Sequence, residues 1–153
     1  MDARKVNRMT IQPAVNDERI LIQIWEESVR ATHHFVTEED IQFYRTLILK
    51  EYFKALSLFC SKDSEQKITG FMGICGNKLE MLFIAPGERG KGIGKQLLVY
   101  AIDRLRVNQV DVNEQNEQAV GFYQHMGFSI VKRFDVDGMG KPYPILSMEL
   151  CLA

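Results

Sequence analysis

Pro86-Gly87-Glu88-Arg89-Gly90-Lys91-Gly92-Ile93-Gly94-Lys95-Gln96-Leu97-Leu98 joins an apolar strand to an apolar-striped helix through a turn nearly bare of side chains. Glycine at alternate positions opens backbone conformations closed to other residues and lets N–H groups approach a ligand without Cβ interference. The helix starting there has unpaired first-turn N–H groups and a positive dipole end, so a pyrophosphate is its natural occupant. Arg89 and Lys91 add positive charge. Two nucleotide readings fail on spacing. The G-x-x-x-x-G-K-[ST] loop needs Ser or Thr where Gln96 stands and Gly where Arg89 stands. The G-x-G-x-x-G dinucleotide loop needs Gly where Leu97 stands after Gly94, although Asp111 lies about where a ribose-binding acid belongs.

Outward from the loop, hydrophobic period sorts the chain. Towards the N-terminus, Lys78 to Ile84, Ile68 to Cys75 and Leu56 to Cys60 read as three antiparallel strands joined by the turns Gly76-Asn77 and Lys62 to Lys67. Before them, Leu21, Ile24, Trp25 and Ser28 share one helical face after a cap at Asn16 or Asp17, ending near Ala31. Thr37 to Asp40 reads as a capping box with Asp for Glu, opening a helix that aligns Ile41, Tyr44, Ile48 and Tyr52. Met9 to Gln12 is a first strand. Towards the C-terminus, the glycine-loop helix runs to Leu105 with Ile93, Leu97, Ala101, Ile102 and Leu105 inward. A strand at Val110 and Val112, a helix from Glu117 to Met126 stopped by Gly127, and strands at Ser129 to Phe134 and Ile145 to Leu152 complete the order β-α-α-β-β-β-α-β-α-β-β. A strand, crossover helix and strand lie parallel in one sheet, so the strands of Phe83 and Val112 should be neighbours.

A chain of 153 residues, 46% hydrophobic and 25% charged, fits one domain spanning residues 1–153 with a single sizeable core. The formal net charge of -1 gives no general attraction to nucleic acid or an anionic membrane. Cys60, Cys75 and Cys151 form no C-x-x-C pair and read as buried small hydrophobes. His33 and His34 are adjacent and His125 is alone, so metal-ligand spacing is missing. Met1 to Lys5 is charged without the apolar run of a signal peptide, and no segment has transmembrane length, which makes the cytoplasm the expected compartment.

Arg89-x-x-Gly92-x-Gly94 resembles the R/Q-x-x-G-x-G/A pyrophosphate loop of the GNAT superfamily of N-acetyltransferases. Further on, Asn116-Glu117-Gln118-Ala119-Val120-Gly121-Phe122-Tyr123-Gln124-His125-Met126-Gly127-Phe128 resembles a second signature of that family, N-x-x-A-x-x-F-Y-x-x-x-G-F. With the strand before the loop, the two cover Leu79 to Phe128. The pieces Trp25, Ala31-Thr32-His33, Asn113 to Asn116 and Gly140 to Pro144 are similar to small single-domain bacterial members. The resemblance implies an α/β fold with a mixed, mainly antiparallel sheet of about seven strands and four helices. Its two central parallel strands would splay around pantetheine. It implies acetyl-CoA as donor and an amine as acceptor, either a protein lysine or a small molecule, with monomer and homodimer both open.

The same resemblance suggests roles for residues. Attack on a thioester needs a neutral amine, yet an alkyl ammonium has a pKa of about 10, so a base must take its proton. Glu80, three residues before Phe83, matches the general-base glutamate of some family members; the alternative is a water relay with Glu80 as a solvated strand end. An amide of Phe83 or Ile84 would face the oxyanion. Tyr123 matches the tyrosine that protonates the CoA thiolate. Arg89, Gly90, Lys91, Gly92, Ile93, Gly94 and Lys95 would hold the pyrophosphate. Asn113 and Asn116 would bind pantetheine or pin the turn, and Asn116 equally suits a helix N-cap. Trp25, His33 and Tyr143 fall in segments that overlie the acceptor, although Trp25 also suits the core and His33 a helix C-terminus. A CoA-binding module without turnover is the alternative function.

Overall fold

The computed structural model describes residues 9–151; the charged N-terminal stretch Met1 to Lys5 and Leu152 lie outside them. Seven strands form one sheet in the order β1-β2-β3-β4-β5-β7-β6. They are β1 (Thr10–Pro13), β2 (Ser57–Lys62), β3 (Ile68–Cys75), β4 (Lys78–Ile84), β5 (Gln109–Asn113), β6 (Phe128–Phe134) and β7 (Ile145–Leu150). Four helices cover it: α1 (Glu18–Thr32), α2 (Glu38–Leu47), α3 (Ile93–Leu105) and α4 (Glu117–His125). Only β4 and β5 run parallel, and they are neighbours as the crossover rule requires. Pro13 sits in the edge strand β1, where a missing N–H is tolerated.

Each face of the sheet has its own core. On one side α3 and α4 pack Leu97, Leu98, Ala101 and Tyr123 against Leu79, Val110, Val112 and Met148. On the other, α1 and α2 pack Leu21, Trp25 and Ile41 against Phe71 and Met81. The stripe on α1 is buried as its spacing requires. Its cap differs: Asp17 occupies the N-cap without a side-chain bond to the helix, and its carboxylate instead accepts from the Val15 N–H at 3.2 Å. Thr37 caps α2 by accepting the Asp40 N–H at 3.1 Å. The reciprocal half of the capping box is missing because Asp40 turns to Tyr143 and Lys141. Beyond α2 the helix widens into a π turn at Ile48–Tyr52. Only Cys60 of the three cysteines is buried; Cys75 and Cys151 are exposed at strand ends, where chain topology outweighs their apolar character.

The feature that shapes the rest is one extra residue in β4. Gly73 pairs with Met81 and Ile74 with Leu79, so Glu80 stands unopposed in a β-bulge. The bulge reverses the alternation of side chains. Leu79 belongs to the α3 side and Met81, two residues on, to the α1 side. β5 pairs with β4 only at Lys78 and Leu79, so the two strands part immediately after the bulge.

Close packing of β3 against the end of β4 holds this geometry. A Cβ on Gly70 would lie 2.8 Å from Ile84 Cδ1 and 3.0 Å from the Phe83 carbonyl oxygen, whereas one on Gly87 would meet nothing within 4 Å. Gly70→Ala should therefore destabilise the protein by about 1–3 kcal/mol, as overpacking does, and Gly87→Ala should be near neutral. Urea denaturation of both variants checks this; a neutral Gly70→Ala would show that β3 does not constrain the end of β4.

Candidate active site

The parting of β4 from β5 leaves backbone groups without strand partners. In an antiparallel ladder, residues alternate between bonding the neighbour and facing away. Ala85 N–H bonds the Thr69 carbonyl at 2.9 Å, which by alternation commits Phe83 to its partner Phe71. Leu82 and Ile84 therefore aim their N–H and C=O groups into the gap. One of the four is taken, since Ser28 Oγ on α1 donates to the Ile84 carbonyl at 2.7 Å. The free amides by this alternation are those of Leu82 and Ile84; of the two expected to face an oxyanion, Ile84 keeps its N–H free and Phe83 is turned to Phe71.

A cavity of about 330 Å³ opens from this gap towards the glycine loop. The glycine-loop residues Arg89, Gly90, Gly92, Ile93, Gly94 and Lys95 line it together with Phe83, Ile84, Asn116 and Tyr123. Gly90 and Gly92 both have φ of +79°, a region that costs other residues strain. Gly92 is the N-cap of α3 and offers no side chain, leaving the first N–H groups of the helix to an anion. A Cβ on Gly94 would stand 3.8 Å from Ile84 Cγ1 and 3.9 Å from Phe122 Cζ, inside the cradle. Lys91 does not line the cavity; it pairs with Glu88 at 2.7 Å and so neutralises an acid that would otherwise face the anion. Asn116 caps α4, accepting the Ala119 N–H at 3.2 Å. Burial pushes the Tyr123 phenol well above its ordinary range, so it stays protonated.

A second cavity, of about 450 Å³, lies on the α1 side of the same strands. Trp25, Glu80, Asn113 and Tyr143 all line it. Asn113, expected to bind pantetheine or pin the turn, thus lines the cavity on the α1 side and not the one that holds Asn116. Alternation in β5 explains this, because Val110 and Val112 face the α3 core and turn Asn113 the other way. Burial raises the Glu80 carboxyl above the usual carboxylate range; Lys78 opposes the shift and Asp111 adds to it. The segment between β6 and β7 walls this cavity. Its Asp137 accepts the Tyr44 hydroxyl and the Met139 and Lys141 N–H groups at 2.9 and 3.0 Å. Tyr143 donates to Asp40, and Lys141 Nζ lies 2.8 Å from the same carboxylate. Tyr52, one of the residues around which the sequence places the acceptor pocket, lines this cavity; Tyr44 and Asp137 were not singled out for it, although Tyr44 shares the face of the predicted helix.

His33 and Phe83 are the residues that line both cavities. His33 is buried, and burial first, then Arg89 and His34, push its imidazole down to about 4. It is neutral at pH 7. Only the unfolded chain takes up its proton between pH 6.5 and about 4, so the contribution of His33 to stability is lost as pH falls through that window.

Two parting strands over a bare helix N-terminus, with an anion cradle on one side and a carboxylate-bearing cavity on the other, define an acyltransferase that passes a group between its two faces. The chain belongs to the GNAT acetyltransferases: residues 19–140 match the family model described as an acetyltransferase (GNAT) domain. It is 40% identical over 128 residues to the peptidyl-lysine N-acetyltransferase YjaB of Salmonella typhimurium, covering 84% of this chain and 88% of that protein. The Escherichia coli protein of the same name is 39% identical over 131 residues, covering 84% and 86%. The solution structure of apo YjaB from Escherichia coli superposes with a TM-score of 0.84 at 35% identity, over 95% of this chain and 99% of the other. The protein is an acetyl-CoA-dependent N-acetyltransferase, and the bare cradle with two free β4 amides suits the pyrophosphate and pantetheine of that donor.

Gly94 has an ordinary φ, so a side chain there obstructs the cradle without straining the backbone. Gly94→Val should change stability by less than about 1 kcal/mol and weaken acetyl-CoA binding by about 10²-fold or more. Calorimetric titration measures both affinities; unchanged binding would place the pyrophosphate elsewhere.

Proposed function

We infer that this enzyme acetylates the side-chain amine of lysine in peptides or proteins, through direct attack in a ternary complex. The single observation that carries this reading is that the two cavities share His33 and Phe83 in their linings, with Glu80 lining one and Tyr123, Leu82 and Ile84 the other. The YjaB relatives, named peptidyl-lysine N-acetyltransferases, support lysine as the acceptor. So does the acceptor cavity. Trp25, Val29, Ile48 and Met81 give it apolar walls for methylenes, and Glu80 supplies an acid for the cationic head.

Acetyl-CoA supplies an acetyl thioester. Glu80 takes a proton from the lysine ammonium, and its raised pKa brings it closer to the amine than an ordinary carboxylate. The lysine nitrogen forms the new bond to the acetyl carbon, the bond from that carbon to sulfur breaks, and the nitrogen releases its second proton to solvent as it becomes an amide. A free amide of Leu82 or Ile84 faces the oxygen on which charge develops. Tyr123 donates a hydrogen bond to the leaving sulfur. Full transfer of its proton is uphill, since a thiol has a pKa near 8.5 and the buried phenol lies far above its ordinary 10. Tyr123 therefore steadies the thiolate, and solvent completes its protonation. Cytoplasmic location fits this chemistry, with a metabolic thioester as donor and exposed free thiols at Cys75 and Cys151.

A panel of lysine peptides, polyamines, amino acids and aminoglycosides, followed by thiol release, tests the acceptor class. Lysine peptides should turn over fastest; a preference for a small amine would overturn the peptidyl reading. Glu80→Gln should lower activity most near pH 7 and least near pH 10, where the acceptor deprotonates unaided. A loss equal at every pH would assign Glu80 to structure and the proton to a water relay.

A further inference from the structure

His33 joins the two cavities, and the hydrogen bonds around it fix which ring nitrogen carries the proton. Thr32 Oγ1 donates its one hydrogen to the Ser28 carbonyl at 2.7 Å. The same oxygen lies 2.7 Å from His33 Nδ1. With its hydrogen already committed, Thr32 must accept there, so Nδ1 is the protonated nitrogen and Nε2 carries a lone pair. Arg89 from the glycine loop and His34 from the same turn both oppose a second proton on the ring. Phe35 packs beside it with ring centroids 5.2 Å apart. Glu80 is the acid on the acceptor side.

We propose that Nε2 of His33 accepts a hydrogen bond from the attacking amine at the junction of the cavities and aims its lone pair at the donor carbonyl. The inference rests on the acetyl-transfer reading above and adds a catalytic residue to it. A neutral amine has two N–H bonds and one lone pair. Holding one N–H turns the lone pair to a defined direction, and misplacement of about 1 Å can cost roughly 10²-fold in rate. His33 does not serve as the base, because a ring held at about 4 cannot compete with Glu80 for the proton of an alkyl ammonium. The anchoring is shared with the oxyanion site: Ser28 accepts from Thr32 through its carbonyl and clips the Ile84 carbonyl through its hydroxyl. One turn of α1 thereby sets the imidazole and the end of β4 in common register.

Two substitutions separate this role from packing. In His33→Asn the side-chain amide can still donate to Thr32 in place of Nδ1 but does not reach the position of Nε2. In His33→Gln the amide oxygen reaches that position as an acceptor. With a lysine peptide that the wild type acetylates, His33→Asn should lower kcat by roughly 10²-fold at unchanged acetyl-CoA affinity, and His33→Gln should stay within about 10-fold of wild type. The nitrogen-15 spectrum of labelled histidine in the wild type should show Nδ1 protonated and Nε2 bare between pH 6 and 8. Wild-type kcat in His33→Asn, a His33→Gln no better than His33→Asn, or a proton on Nε2 overturns the proposal. Wild-type protein that turns over no acceptor overturns the acetyl-transfer reading and this inference with it; an active wild type matched by His33→Asn overturns this inference alone.

Discussion

The extra residue at Glu80 determines what the end of β4 can do. A regular strand would keep Leu79, Met81 and Phe83 on one face and continue its ladder towards β5. The bulge instead reverses both side-chain and hydrogen-bond alternation within two residues. Leu82 and Ile84 then point their amides into a gap that β5 has left, while Phe83 keeps the strand attached to β3. Unpaired backbone groups are costly when shut away from water. They persist here beside a cavity, where a ligand with amides of its own can bond them. Ser28 answers the one carbonyl that faces α1.

The charge pattern across the sheet follows the same division. On the α3 side, the bare N-terminus of the helix and Arg89 draw an anion, and Lys91 cancels Glu88 close by. On the α1 side, Glu80 and Asp137 line the second cavity. Between them stands a neutral imidazole whose proton uptake is suppressed by burial and by Arg89. We propose that a cationic acceptor is attracted to the mouth, loses its charge at Glu80, and meets the donor at an uncharged junction.

Much of the architecture was legible because it rests on local pattern. The limits of β3 and β4 follow from alternation and the turn at Gly76-Asn77, and the glycine loop and the Asn116 to Phe128 segment locate the donor cavity. The bulge was not legible. Lys78 to Ile84 contains no glycine to mark it, and the extra residue shows only in the register with β3. Asn113 could have been placed on the α1 side from the inward Val110 and Val112. Lys91 could have been paired with Glu88, three residues before it. The tautomer of His33 and the clip from Ser28 depend on distances between elements, which no periodicity reports.

The central claim is that the Leu82 and Ile84 amides are free of the sheet and wait for the donor, whereas Phe83 is committed to β3. Amide hydrogen exchange resolved by residue, with and without acetyl-CoA, measures this directly. The account predicts fast exchange at Leu82 and Ile84 in the free protein, strong slowing at one or both when acetyl-CoA binds, and slow exchange at Phe83 in both states. Protection of Leu82 and Ile84 already in the free protein, or no change at either on saturation with acetyl-CoA, would contradict it.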